Sequence, residues 1–301
     1  MRRSKNAVLI LAALVLFVTA CERSGGPRAG AQSDSSSSDN ASIRVVTLAP
    51  NLAELVFAAH AGDTLVGISA YTDFPPAALD LPIVSDAFMV DQEQLSLLKP
   101  DLLLAWKNGT PLHVVDQLRE AGFRVEVIQT DSLDDVAVAL EKIGELTGNL
   151  KSAADAAASY RQQIQQLTDR YSGSEPIDVF YQISSRPLYT VNSTHYISEI
   201  LTLCGGRNIF DDLDDLAPMV DVEAVISRSP EVMLAALDSS QAAFDIWDRW
   251  PELAANRYGN RFFIPADEIG RATPRLVAAG EAVCEALTKA RHNRQAGSRH
   301  D

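Results

Sequence analysis

Cysteine is scarce in this 301-residue chain, with three in all, and no CxxC pair or cysteine-histidine cluster offers the spacing of a structural zinc or redox site. Its five histidines, at 60, 113, 195, 292 and 300, are scattered. A primary metal-ion site is therefore not expected. No GxxxxGKS phosphate loop, GxSxG nucleophile elbow or HExxH helix occurs, which removes the commonest signatures of nucleotide, ester and zinc-peptide chemistry. Ser69, Ser184 and Ser193 lack evident histidine and acid partners, so an exported α/β hydrolase is a remote alternative. Basic residues are outnumbered, 26 against 40 acids, for a formal charge of -14. A chain so short of cations is a poor ligand for nucleic acid, whose binding rests on contacts to phosphate. The acid pairs Asp211-Asp212 and Asp214-Asp215 lack the spacing of a calcium loop and read as a solvated segment.

No apolar run reaches the length of a membrane span. The longest, Ala7 to Ala20, follows Arg2, Arg3 and Lys5 in the order of a secretory signal. It ends in Val18-Thr19-Ala20-Cys21, which resembles a bacterial lipobox. Residues 1–20 are expected to be a lipoprotein signal peptide and Cys21 the lipidated mature N-terminus. The Ser- and Gly-rich stretch to residue 42 has too little apolar content to fold and reads as a disordered tether. In such an exported setting Cys204 and Cys284 are either a disulfide or two buried thiols.

What is present is a duplication. VDQEQLSLLKPDLLLA, from Val90 to Ala105, recurs 130 positions later as VDVEAVISRSPEVMLA, from Val220 to Ala235. Each copy reads as a short helix beginning near Asp91 or Asp221, with Glu93 or Glu223 in its first turn, then a proline and a buried strand. Two similar lobes follow from it. Apolar runs at 43–48, 65–68, 82–84, 102–105 and 125–128, with helix between, make residues 43–132 an α/β lobe with a parallel sheet. Residues 133–172 carry apolar positions at three-and-four spacing and read as one long rigid linking helix with Gly148 as its weak point. Alternation then resumes, with strands at 179–183, 233–237 and 262–264 and helices at 197–203, 223–227 and 274–290. Residues 173–290 form the second α/β lobe, and 291–301 read as a loose polar tail.

Open parallel sheets bind ligands beyond the carboxyl ends of their strands. Aromatic and polar residues gather there: Pro50, Asn51, Tyr71 and Trp106 in the first lobe, and Arg186 to Tyr189, Asp267 and Arg271 in the second. Large π faces with few charges suit a big, partly apolar ligand.

At VGISAYTDFPPAA (66–78), LKPDLLLAW (98–106), CGGRNIF (204–210) and RATPRLVAA (271–279) the chain resembles the helical-backbone, cluster A-II, solute-binding proteins of bacterial ABC importers. The likeness runs from about Arg44 to Leu287, and the tyrosine and RAxPR segments are most similar to the cobalamin-binding members. The resemblance implies two Rossmann-like lobes, no catalysis and no cofactor beyond the transported corrinoid, and the rigid spine predicts small hinge motion and a cleft largely formed before ligand arrives. It also implies that Tyr71 and Trp106 contact the corrin from one lobe and that Asp267 and Arg271 lie at the cleft from the other. Cys204 and Cys284 match the family's disulfide, and Glu93 and Glu223 its two acids that dock into the permease dimer, which works with ATPase subunits. A periplasmic, membrane-anchored monomer is expected. The chain departs from the pattern where tryptophans are usual, at Ala87 with Phe88 beside it and at Ala217, and where a phenylalanine is replaced by Leu188 beside Tyr189. These departures keep haem or an iron-siderophore open as ligand, with Tyr189, His195 or Tyr196 as axial candidates and Arg186 and Arg271 as basic contacts.

Overall fold

A computed structural model of the protein describes residues 42–86, 89–236 and 241–297. The expected signal peptide, Cys21 and tether up to residue 41, Ala87 with Phe88, the end of the strand expected at 233–237, and the last four residues of the expected tail lie outside these residues.

The first lobe is a five-stranded parallel sheet of β1 (Val45–Thr47), β2 (Leu65–Ser69), β3 (Ile83–Ser85), β4 (Leu102–Trp106) and β5 (Val125–Ile128), in the order β3-β2-β1-β4-β5. Helices α1 (Pro50–Ala58), α2 (Gln92–Leu98) and α3 (Leu112–Glu120) join its strands. Val45, Leu102 and Leu104 pack against α1 on one face, while Val46, Leu103 and Ala105 pack under α2 and α3 on the other. Coverage on both faces explains why these strands are continuous apolar runs.

The second lobe repeats the plan with β6 (Ile177–Gln182), a small hairpin of β7 (Ser184–Ser185) and β8 (Leu188–Tyr189), β9 (Gly206–Asn208), β10 (Val232–Ala235) and β11 (Arg261–Phe263). Its parallel sheet runs β11-β10-β6-β9. The helices are α6 (Tyr196–Leu203), α7 (Val222–Arg228), α8 (Ala254–Arg257), α9 (Ala266–Ile269) and α10 (Leu276–Gly297).

The two sequence copies superpose in role as well as in spelling. Asp91 caps α2 by accepting from Gln94 N at 2.9 Å, and Asp221 caps α7 by accepting from Ala224 N at 2.6 Å. Both helices end on a left-handed residue before the proline, Lys99 with φ 46° and Ser229 with φ 47°. The acid after the proline then closes onto the head of the neighbouring strand. Asp101 accepts from Arg44 N at 2.8 Å before β1, and Glu231 from Asp178 N at 3.2 Å in β6. Each acid's own N–H returns a bond to the carbonyl of that same residue.

Where one linking helix is expected, the chain forms a helical hairpin, α4 (Leu133–Thr147) and α5 (Leu150–Tyr171). Gly148 stops α4 with φ 82°, a left-handed conformation that costs a side-chain-bearing residue energy. Arg161 on α5 reaches back to Asp134 at 2.7 Å and Glu141 at 2.5 Å on α4, fixing the pair. Val136, Leu140 and Ile143 of α4 and Ala153, Ala157 and Tyr160 of α5 belong to one buried apolar cluster with Leu52 of the first lobe and Ile200 and Leu287 of the second. Both lobes therefore grip the same spine.

The tail expected to be loose from residue 291 is instead helix as far as Gly297. Arg291 is buried and donates to Glu175 O at 2.6 Å and Cys204 O at 2.8 Å, while Arg294 pairs with Glu231 and Glu175, each at 2.8 Å. Buried acceptors beside the Cys204–Cys284 disulfide, whose Cα atoms are 4.8 Å apart, give these polar residues a place in the fold.

Candidate ligand-binding cleft

The first-lobe sheet reverses its winding between β1 and β4, and a cavity of about 260 Å³ opens at those strand ends. Pro50, Ala70, Tyr71, Met89, Trp106 and Thr110 are among its lining residues, and its wall is mainly apolar. Pro50 therefore sits where expected. Asn51 does not: α1 begins at Pro50, so the next side chain turns inward and is buried.

Trp106 ends β4, and its indole N–H donates to the buried Thr130 Oγ1 at 2.9 Å, which fixes the ring's rotation. The ring lies against Gly109, where a Cβ would stand 2.2 Å from a ring carbon. Only glycine lets the indole take that position. Tyr71 is 81% exposed and has φ 63°. Its loop is tied at Ala70 N to Ser85 O (2.7 Å) and at Thr72 Oγ1 to Ser69 O (2.8 Å). A large aromatic held in solvent on a strained, well-braced turn is a surface prepared for contact.

Arg271 bridges the two lobes. From the second lobe it donates to Glu54 Oε1 at 2.9 Å, to both oxygens of Asp73 and to Tyr71 O at 3.2 Å, all on the first lobe. Arg275 adds a contact to Glu54 at 3.3 Å and lies over the Phe74 ring at 4.7 Å. The Arg271 guanidinium holds the Asp73 carboxyl below its usual range. Glu54, its side chain only 2% exposed, is the buried anion on which both arginines converge. The result is a clamp across the lobes that also pins the backbone of Tyr71. Glu54, Asp73 and Arg275 were not among the expected site residues. An acid within the apolar helix PNLAELVFA was the available signal, since buried acids are rare without a partner.

In the second lobe, Leu188 is buried in one apolar cluster with Phe180 and Phe210, while side chains alternate along β8 and Tyr189 takes the more open side. Asp267 is exposed in the first turn of α9. Phe88 lies outside the described residues. Of the axial candidates, His195 caps α6, with Nδ1 accepting from Ile197 N at 3.1 Å, and the buried Tyr196 hydroxyl donates to Ile269 O at 3.1 Å. Tyr189 is left as the half-exposed phenol. Among the described residues no group of three or more His, Cys, Asp or Glu is placed to hold a metal ion.

Burial pushes the His195 imidazole down from its ordinary 6.5 to about 4, against a smaller upward pull from Asp131. Between those two values the unfolded chain binds a proton that the folded one refuses, so stability is full above pH 6.5 and falls on acidification. Urea unfolding at pH 7 and pH 4.5 is expected to show a loss of up to about 3 kcal/mol from this group. His195→Asn, which retains a capping side chain, should flatten that limb; an unchanged acid limb contradicts the assignment.

The acids Glu93 and Glu223 are both exposed, each in the first turn of its duplicated helix.

A pair of parallel α/β lobes on a common helical spine, with an aromatic cleft at the strand ends, defines a solute-binding protein of the rigid, helix-linked kind. The chain belongs to the periplasmic binding protein family, whose profile matches residues 45–268. It is 37% identical over 245 residues to the vitamin B12-binding protein of Vibrio cholerae, covering 81% of this chain and 88% of that one. It is 34% identical over 253 residues to the vitamin B12-binding protein of Yersinia pestis, covering 82% and 87%. The crystal structure of the periplasmic vitamin B12 binding protein BtuF of Vibrio cholerae aligns with a TM-score of 0.77 at 36% identity, over 83% of this chain and 98% of that one. The heme-binding protein HutB of the same organism shares the fold, with a TM-score of 0.71 at 20% identity over 81% and 98%. Its relatives are binding proteins and not enzymes.

Proposed function

We propose that this protein captures a corrinoid, cobalamin being the best candidate, between its lobes in the periplasm and delivers it to the permease of an ABC importer. The Trp106–Tyr71 wall carries the reading: two aromatic surfaces, one locked by Thr130 and the other presented on a braced turn, line an apolar hollow suited to a macrocycle face. Relatives that bear the name of vitamin B12-binding proteins, at more than a third identity over four fifths of the chain, support the same ligand. Asp267 and Tyr189 are the second-lobe groups available to the amide side chains and the opposite face. Cys21 is the proposed lipid anchor, and Glu93 with Glu223 the proposed contacts to the two permease subunits, which act with their ATPase partners.

Isothermal titration with cyanocobalamin tests the ligand. Saturable one-to-one heat is expected, and Trp106→Ala should weaken binding at least about tenfold through lost stacking area. Silence at micromolar protein, together with tight binding of haem or a ferric siderophore, would sink this reading.

A further inference from the structure

Met89 and Met219 stand 130 residues apart, and each opens its copy of the duplication as Ala-x-Met-Val-Asp, four residues before Glu93 or Glu223. Both are open to solvent, 72% and 66% exposed. A single exposed apolar side chain is ordinary. Two at equivalent points of duplicated lobes, each next to an aromatic of the cleft, call for a common cause. Met89 shares the first-lobe cavity with Tyr71 and Trp106. Met219 is laddered antiparallel against Tyr189.

Neither exposure comes from a loose backbone. Met89 N donates to Asp86 Oδ1 at 2.8 Å, and Met89 O accepts from Asp86 N at 2.9 Å. Around Met219, Thr190 N donates to Pro218 O at 3.1 Å and Val220 N to Leu188 O at 3.0 Å. The chain thus holds two flexible, polarizable thioethers in water at fixed points, one on each lip. Methionine's unbranched side chain moulds itself to irregular apolar surfaces, such as the edge of a substituted macrocycle.

We propose that Met89 and Met219 are a matched pair of ligand contacts, closing on the macrocycle from opposite lobes and setting affinity by apolar area rather than hydrogen bonding. This rests on the ligand-binding reading above. Cyanocobalamin titration of the full chain tests it. Met89→Ala and Met219→Ala are each expected to weaken binding by about fivefold and the double variant by about twenty-five-fold, the scale of burying part of one such side chain apiece. The two Leu variants should bind close to the parent, and all should unfold at the parental midpoint because the side chains are exposed. Hydrogen peroxide gives a second readout. It transfers one oxygen to each exposed sulfur and leaves as water, whereas the core Met233 is fully buried. Peroxide should weaken the parent and spare the Met89→Leu/Met219→Leu protein. Parental affinity in the double alanine variant overturns the methionine assignment alone; absence of binding by the unsubstituted protein overturns it together with the ligand reading.

Discussion

Glu54→Ala is expected to lower the free energy of unfolding by about 3 kcal/mol, near the lower end for breaking a buried ion pair. With a chain of this size that corresponds to a fall of roughly 6–12 °C in the unfolding midpoint. The reason lies in what the alanine leaves behind. Arg271 and Arg275 are both turned onto Glu54 at the junction of the lobes, with side chains 16% and 25% exposed, so they would face a site with no anion. Asp73 still pairs with Arg271, which keeps the loss from being larger. Glu54→Gln retains an acceptor of the same shape and should lose less. Combining Glu54→Leu with Arg271→Met should cost less than the sum of the two single changes, since the second removes the charge that the first strands. Chemical unfolding of Glu54→Ala, Glu54→Gln, the two single changes and their double makes the measurement. A Glu54→Ala protein within about 0.5 kcal/mol of the parent would mean that the clamp contributes nothing net.

The clamp also bears on binding, because the arginine that holds Glu54 holds Tyr71 O as well. Tyr71 keeps a left-handed backbone for which an L side chain has little preference, and the Arg271 bond is one of the contacts that fix it. Lobe alignment and presentation of the aromatic therefore share one guanidinium. Continuity of the apolar spine through α4 and α5 ties the lobes together as well.

Much of this arrangement can be read from the chain, and the exceptions have physical causes. Val125 to Ile128 is identified to the residue because a β-branched run between turns leaves little choice. The strand Gly206–Asn208 escapes notice since Gly-Arg-Asn has neither alternation nor β propensity, and only pairing with β6 makes it a strand. Helical spacing carries across Gly148, so periodicity marks the glycine only as a weak point, and the reversal itself shows in its φ and in the Arg161 ion pairs back to α4. Trp106 and Tyr71 are visible as aromatics just past strands. Leu188 and Tyr189 illustrate the opposite case, because a one-residue uncertainty in a two-residue strand exchanges core for surface. Glu54 and Arg271 are 217 residues apart, and no local pattern couples them.

Reversing both Glu93 and Glu223 to arginine is expected to abolish ligand transport in cells while leaving cyanocobalamin affinity of the purified protein unchanged. The two acids lie on exposed first turns of α2 and α7, outside the cavity wall, so binding has no reason to move. Placing a cation at each helix N-terminus should cost only about 0.3–1 kcal/mol apiece through the helix dipole, too little to unfold a protein whose lobes share one core. Their equivalence is built three times over: by the same Asp cap, the same left-handed stop before proline, and a carboxylate, Asp101 or Glu231, closing on the first strand of each sheet. Such a pair presents one chemical group twice, on surfaces related by the duplication, as a partner made of two like subunits requires. Either single reversal leaves one contact and should reduce transport without ending it. Full transport by the double variant would leave the repeated helices as the trace of an ancient duplication with no part in docking.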